Sequence, residues 1–157
     1  MRVFVIAALG LTLIGCMRDI PNTTVPDTPE NREVIEFMER YRHAVEERNI
    51  GAILSMTADD YLDDAGTPIG DDDVDATTLA ARLAEWSGRV NEVRYEIRYR
   101  HVRVDELERV YVEYRYTASF RMAGTDGQVR WSRRVSDARA ILRRDGESSE
   151  LRFLSGL

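Results

Sequence analysis

The sequence predicts an α+β domain in which helices precede an antiparallel sheet. Three observations predict it. Apolar residues recur at helical spacing between Val34 and Trp86, the period drops to two from Asn91 onward, and turn residues separate the alternating runs. Helices followed by a meander give two layers around one core. A length of 157 residues suits a single domain.

The chain opens with MRVFVIAALGLTLIGC, in which Arg2 precedes an apolar run from Val3 to Leu13. A run of about 11 residues is too short to cross some 30 Å of hydrocarbon as a helix, so residues 1–15 read as an export signal. Leu13-Ile14-Gly15-Cys16 resembles a bacterial lipobox. That resemblance implies that Cys16 becomes the lipidated first residue of the mature chain and places the protein at the cell envelope. Met17 stands where inner-membrane lipoproteins carry Asp, which implies outer-membrane delivery. Residues 16–29 hold Pro21, Pro26 and Pro29 among Asn, Thr and Asp, and predict an extended tether that stands the domain off the membrane.

Residues 30–157 form the predicted domain. Thr28-Pro29-Glu30 supplies a hydroxyl cap, a proline at the first helical position and an acid in the first turn, so a helix starts there and runs to about Arg48. Val34, Phe37, Met38, Tyr41 and Val45 form its core stripe, and His43 falls on the solvent side. Asn49-Ile50-Gly51 breaks it, and a short second helix follows to near Ala58. The Asp-rich stretch from Asp59 to Asp75 reads as a short strand and a solvated loop. Its register does not fit a calcium loop, since Asp71, Asp73 and Asp75 are followed by Ala76 rather than Gly. A third helix over Ala76–Gly88 buries Leu79, Leu83 and Trp86, with Gly88 as its stop.

Four strands follow. Val93, Tyr95, Ile97 and Tyr99 alternate with charged residues, Asp105-Glu106-Leu107-Glu108 turns, and Val110 through Met122 presents an apolar face that includes Tyr114, Tyr116 and Phe120. Gly124-Thr125-Asp126-Gly127 turns into a strand over 128–143, and Asp145-Gly146 leads to a last strand, Leu151–Leu157. His101 continues the Val93–Tyr99 register, but Val102 and Val104 show the apolar face switching there, as a bulge would cause. Trp131 and Arg133 continue the apolar register of Val129 toward Val135, which makes them candidates for a pocket.

Charge narrows the functional classes. All 22 basic residues are arginine, set against 28 acids. Residues 16–93 carry 7 arginines and 18 acids, whereas residues 94–157 carry 14 and 10, so a basic sheet accompanies acidic helices. The acidic total argues against nucleic acid as a partner. One cysteine and two histidines 58 positions apart predict neither a disulfide framework nor a metal site, and no cofactor motif occurs.

The order of elements resembles the nuclear transport factor 2-like (SnoaL/ketosteroid isomerase-like) superfamily over residues 30–157. The likeness rests on Phe37-Met38-Glu39-Arg40-Tyr41, on Ile53-Leu54-Ser55-Met56-Thr57-Ala58-Asp59-Asp60-Tyr61, and on the closing Leu151–Leu157. It implies a cone: a curved antiparallel sheet with three amino-terminal helices packed on its concave face, and a pocket inside. Tyr41 matches the isomerase's oxyanion-hole tyrosine. The catalytic base falls at Ala65, with Asp64 beside it, and Asp137 resembles the second carboxyl, whose raised pKa needs an apolar site. The ligand-binding candidates are Tyr41, Trp86, Tyr114, Tyr116, Trp131 and Arg133; Tyr41, Asp64, His101 and Asp137 are the weak catalytic ones. With the base position lost, the reading is a lipid-anchored, non-catalytic domain that binds a small apolar ligand or a protein partner. The rival is an isomerase, dehydratase or cyclase using acid/base chemistry in the cone, and a homodimer through the sheet is the remaining partner the resemblance implies. Cys16→Ser is expected to leave an uncleaved precursor without acyl mass, released from the membrane fraction; normal processing of that variant would refute the lipobox.

Overall fold

A computed structural model describes residues 18–64, 72–123, 128–146 and 148–157. Cys16 and Ala65 lie outside them. Helix α1 spans Pro29–Glu46, and the extended Thr28 accepts a hydrogen bond from the Asn31 N–H. Its buried stripe contains Val34, Phe37, Met38, Tyr41 and Val45, as its periodicity requires, and His43 is exposed. Helix α2, Ile50–Ser55, is capped by Asn49, whose Oδ1 accepts from the Ala52 N–H at 3.0 Å. Strands β1 (Leu62–Asp63) and β2 (Val74–Asp75) pair antiparallel across the Asp-rich stretch. Asp75 then caps α3, Ala76–Arg89, accepting from the Thr78 N–H at 2.7 Å. Gly88 does not stop this helix. The chain passes through it to Arg89, and the change comes at Val90, whose extended backbone (φ −98°, ψ 124°) is already the first residue of a strand.

Strands β3 (Val90–Val104), β4 (Val110–Ala123), β5 (Val129–Arg144) and β6 (Leu151–Ser155) form one antiparallel sheet in the order β3-β4-β5-β6. The sheet is curved and the helices precede it in the chain. Val93, Tyr95, Tyr99, Val112, Tyr114, Ala118, Ala140, Leu142 and Phe153 are buried with the stripe of α1 in a single core. Register shifts between Val90 and Glu92, between Tyr99 and His101, and between Ile141 and Leu142 bend the strands.

An open sheet leaves edges whose N–H and C=O groups need partners. On β3 they find them locally. The Tyr95 N–H donates to Glu46 Oε1 at 3.0 Å, and Arg48 Nη1 donates to the Val90 carbonyl at 2.6 Å. The segment expected to be a free tether covers two more groups. Residues 19–26 form a tight reversal in which the Ile20 N–H donates to the Val25 carbonyl at 2.8 Å. Its tip docks on β3, the Thr24 N–H reaching the Tyr99 carbonyl at 3.3 Å and Thr24 Oγ1 the Arg100 carbonyl at 2.9 Å. Val25 is fully buried. Composition suggested a tether because only Ile20 and Val25 in this stretch are apolar; the strand edge supplies the missing partners. If the segment is part of the fold, Val25→Ala lowers stability by about 1–3 kcal/mol, the worth of burying a valine, in urea denaturation. A change under a few tenths would restore the tether reading.

Candidate functional site

The helices cover the concave face unevenly, and what they leave is a cavity of about 840 Å³. Tyr41 and Val45 of α1, Leu83 and Trp86 of α3, and Tyr95, Tyr114, Tyr116 and Phe120 of the sheet give it aromatic and aliphatic walls. Its polar lining includes Asp63, Asp64, Arg134 and Ser136. Residues paired directly across an antiparallel sheet share a face. Tyr95, Ala118 and Arg134 therefore make one row inside the cone, Ile97, Tyr116 and Ser136 the next, and Tyr99, Tyr114 and Ala138 a third.

The aromatic walls are interlocked. Tyr41 stands edge-on to Tyr95 (ring centroids 6.1 Å, 88°) and to Phe153 (5.1 Å, 64°), and Trp86 stands edge-on to Phe120 (6.3 Å, 88°). Tyr116 lies 5.5 Å from Tyr95 and 6.4 Å from Tyr114, centroid to centroid. Such contacts favour fixed ring positions over a collapsible lining. Burial pushes the Tyr41 phenol up from 10.0 to about 12. Burial also raises Tyr95 and Tyr114, and Tyr99, whose hydroxyl donates to Glu39 Oε1 at 2.7 Å, is raised by burial and then by that carboxylate. At neutral pH these are uncharged hydroxyls, suited to hydrogen bonding rather than to proton abstraction.

The chain end closes one side. The Leu157 N–H donates to Tyr61 Oη at 3.1 Å, and the Gly156 N–H and Ser155 hydroxyl donate to Asp63 at 3.3 and 3.4 Å. Gly156 has φ +93°, and a Cβ there would lie 2.1 Å from the Arg139 carbonyl oxygen, so only glycine lets the terminus pass so close to β5. Burial pushes the Tyr61 phenol up to about 12.

Of the residues expected at the site, Tyr41, Trp86, Tyr114, Tyr116 and Asp64 line this cavity together, and Asp137 touches its rim. Trp131 and Arg133 do not. They share the outer sheet face, where Trp131 is 49% exposed with the Arg94 guanidinium 4.9 Å from its ring centroid, and Arg133 is exposed opposite Ser119. The apolar alternation of Val129, Trp131 and Val135 marks that outer face. The inner one is marked by Leu142, Ala140 and Ala138, whose parity runs back to Ser136 and Arg134. Asp137 is also outward. Arg115 grips it through Nε and Nη2, both at 2.9 Å, and Arg100 stands 3.2 Å away. The Arg115 hydrogen bonds, ahead of the nearby charges, hold its carboxyl below the usual range, the reverse of the raised value the resemblance implied. His101 pairs with Glu113 beyond the register shift after Tyr99 and is exposed on that same face. Tyr95, Arg134, Ser136 and Asp63 were missed by the sequence reading. Among the described residues no cluster of three or more His, Cys, Asp or Glu is placed to hold a metal ion.

No protein-family profile and no curated protein sequence matches the chain. Solved structures do. A conserved protein from Planctomyces limnophilus superimposes with a TM-score of 0.66 at 15% identity, covering 81% of this chain and 92% of that one. A scytalone dehydratase-like protein from Novosphingobium aromaticivorans gives 0.65 at 8% identity, covering 81% and 80%. Aln2 from a Streptomyces species gives 0.60 at 18% identity, covering 83% and 90%. The fold is the cone of nuclear transport factor 2-like proteins.

The buried phenols set an alkaline limit. Tyr41 and Tyr61 have folded pKa values of about 12 against 10.0 in the open chain, so the folded state keeps protons that the unfolded state releases. Their contribution is complete below pH 10 and is lost as pH rises from 10 through 12. Tyrosinate absorbance at 295 nm from Tyr41, Tyr61, Tyr95, Tyr99 and Tyr114 should develop together with loss of the native circular dichroism. Ionisation of all seven tyrosines near pH 10 in a still-folded protein would contradict the burial.

Proposed function

We propose that this protein is a lipid-anchored envelope protein whose domain binds a small, ring-containing ligand in the cone without transforming it. The observation that carries the reading is the cavity of about 840 Å³ walled by Tyr41, Trp86, Tyr95, Tyr114, Tyr116 and Phe120. That volume lies within the range of small-molecule sites, and walls of rigid rings favour planar apolar ligands through stacking and edge contacts. Against catalysis stand the outward, Arg-bound Asp137, the outward His101, and a Tyr41 phenol that its raised pKa keeps protonated and so unable to abstract a proton. The anchor is carried by the sequence motif ending at Cys16. Arg18 is already tied to the domain, its carbonyl accepting from the Asp27 N–H at 2.7 Å, so a lipid on Cys16 holds the domain against the bilayer on a two-residue leash of about 7 Å.

A second reading has one specific support. Asp64 and Tyr41 line the same cavity, so a carboxylate and a neutral phenol meet a ligand there, as acid/base isomerisation or dehydration would need.

Mass spectrometry of compounds retained by the purified full chain tests both. Binding predicts recovery of one compound in near-stoichiometric amount. Ser136→Trp, which fills the cavity from its half-buried wall, should reduce the recovery at least about 10-fold, equivalent to 1.4 kcal/mol. Retention unaffected by Ser136→Trp would place the ligand elsewhere. A retained compound that the wild type converts and Asp64→Asn binds unchanged would decide for the catalytic reading.

A further inference from the structure

The cavity is apolar on most sides, yet one strand brings a full charge into it. Arg134 is on the inner face of β5, in the row of Tyr95 and Ala118, and lines the cavity at its solvent-exposed mouth. The arginines of the outer face near it are mostly committed: Arg115 and Arg100 to Asp137, Arg139 to Glu113 at 2.9 Å, Arg121 to Glu92 at 3.7 Å, and Arg94 to the Trp131 ring. Arg134 has no hydrogen-bond, ion-pair or ring partner among the described residues. The small Ala118 between it and Tyr95 leaves the guanidinium open to the tyrosine wall. Of the acids that line the cavity, Asp137 at its rim is already held by Arg115 and Arg100, and Asp63 sits toward the other end. Asp63 is bound to Ser155 and Gly156, and Ser155 pairs with Ile141, seven residues along β5 from Arg134, on the order of 20 Å.

Building on the ligand-binding reading above, we infer that the cavity selects aromatic acids: planar ring compounds bearing one anionic group, which Arg134 receives while the rings lie against Tyr95 and Tyr116. An unpaired guanidinium is a fork of N–H donors matched to a carboxylate or sulfonate and able to stack on rings. The tyrosine hydroxyls beside it can donate to the same anion. The acidic end of the cavity orients the ligand by excluding its charge from the Asp63 side.

A matched pair of fluorescent probes tests this on the full chain. 1-Anilinonaphthalene-8-sulfonate and N-phenyl-1-naphthylamine share a ring system and differ by the sulfonate. The expected result is sulfonate binding about 10-fold tighter than that of the neutral compound, and loss of this preference in Arg134→Gln through weaker sulfonate binding alone, a change of about 1.4 kcal/mol. Arg133→Gln, one residue away on the outer face, should leave both affinities within about 2-fold. Circular dichroism verifies that each variant is folded. An unchanged preference in Arg134→Gln, or an equal loss in Arg133→Gln, would overturn the assignment of the anion to Arg134 while leaving the cavity reading intact. Ser136→Trp separates the two: if neither probe loses affinity in it, or neither binds saturably, the cavity reading fails and this inference with it.

Discussion

The contact between α1 and the concave face of the sheet is the interaction on which the rest of the molecule depends. Phe37 and Tyr41 meet Phe153 of β6 at centroid distances of 5.0 and 5.1 Å, and Tyr41 also meets Tyr95 of β3, so one helix face holds the first and last strands of the sheet at once. Its polar flank serves the same joint: Glu39 takes the Tyr99 hydroxyl, Glu46 takes the Tyr95 N–H, and Arg42 bridges the two carboxylates at 2.7 Å each. A helix spent on β3 and β6 leaves the inner faces of β4 and β5 without cover at the far end of the strands. The cavity is the consequence. Its walls are the part of the concave face that the aromatic joint does not reach, which is why the same tyrosines are core residues on one side and lining residues on the other.

How far the sequence disclosed this depended on whether a residue's environment was set locally. The start of α1 was legible because Thr28 caps through a bond to a residue three positions on, as Asn49 and Asp75 also do for α2 and α3. The alternation of β3 and β4 was legible because one face of each is buried or half-buried along its length. Tyr41, Trp86, Tyr114 and Tyr116 followed from those periodicities. The failure came on β5, where the period was read correctly and its phase was not. Between Val129 and Ser136 the inner face borders an open cavity and has no need to be apolar, while Trp131 and Val135 face outward at 49% and 52% exposure. Hydrophobicity there points to the wrong side. The phase had to be taken from Leu142 and Ala140, which are fully buried, and carried back along the strand. The docking of residues 18–28 was illegible for another reason: its bonds run to the backbone of β3, and backbone groups leave no trace in composition.

The exclusive use of arginine acquires a meaning from the same geometry. On the outer face Asp137, Glu113 and Glu92 each face arginines across strands, and guanidinium groups can bridge two acids or lie on a ring in ways an ammonium cannot. Each such exposed pair contributes little stability by itself. Together they neutralise part of the positive charge on the outer face of the sheet. An inward guanidinium outside this ladder stands in a different situation. It stands exposed at the mouth of the cavity, beside the tyrosine wall, where no acid has claimed it.

With the proposed anchor at Cys16, the two ends of the strands would divide the labour between attachment and access. Helix α1 begins where Glu33 pairs with Arg144 at 2.6 Å, and the chain reaches it through Arg18 and Asp27 at that same end. Arg134 lies ten residues of β5 from Arg144, on the order of 30 Å along a curved strand. A lipid attached two residues before Arg18 would therefore hold the closed end of the cone near the bilayer. The ring-lined end, with Trp86, Phe120 and Arg134, would point toward the aqueous phase. A site so placed would exchange ligand with the solvent compartment rather than draw it from the membrane. An anionic group suits that route, because it raises aqueous solubility and gives the guanidinium something to hold against the return to water.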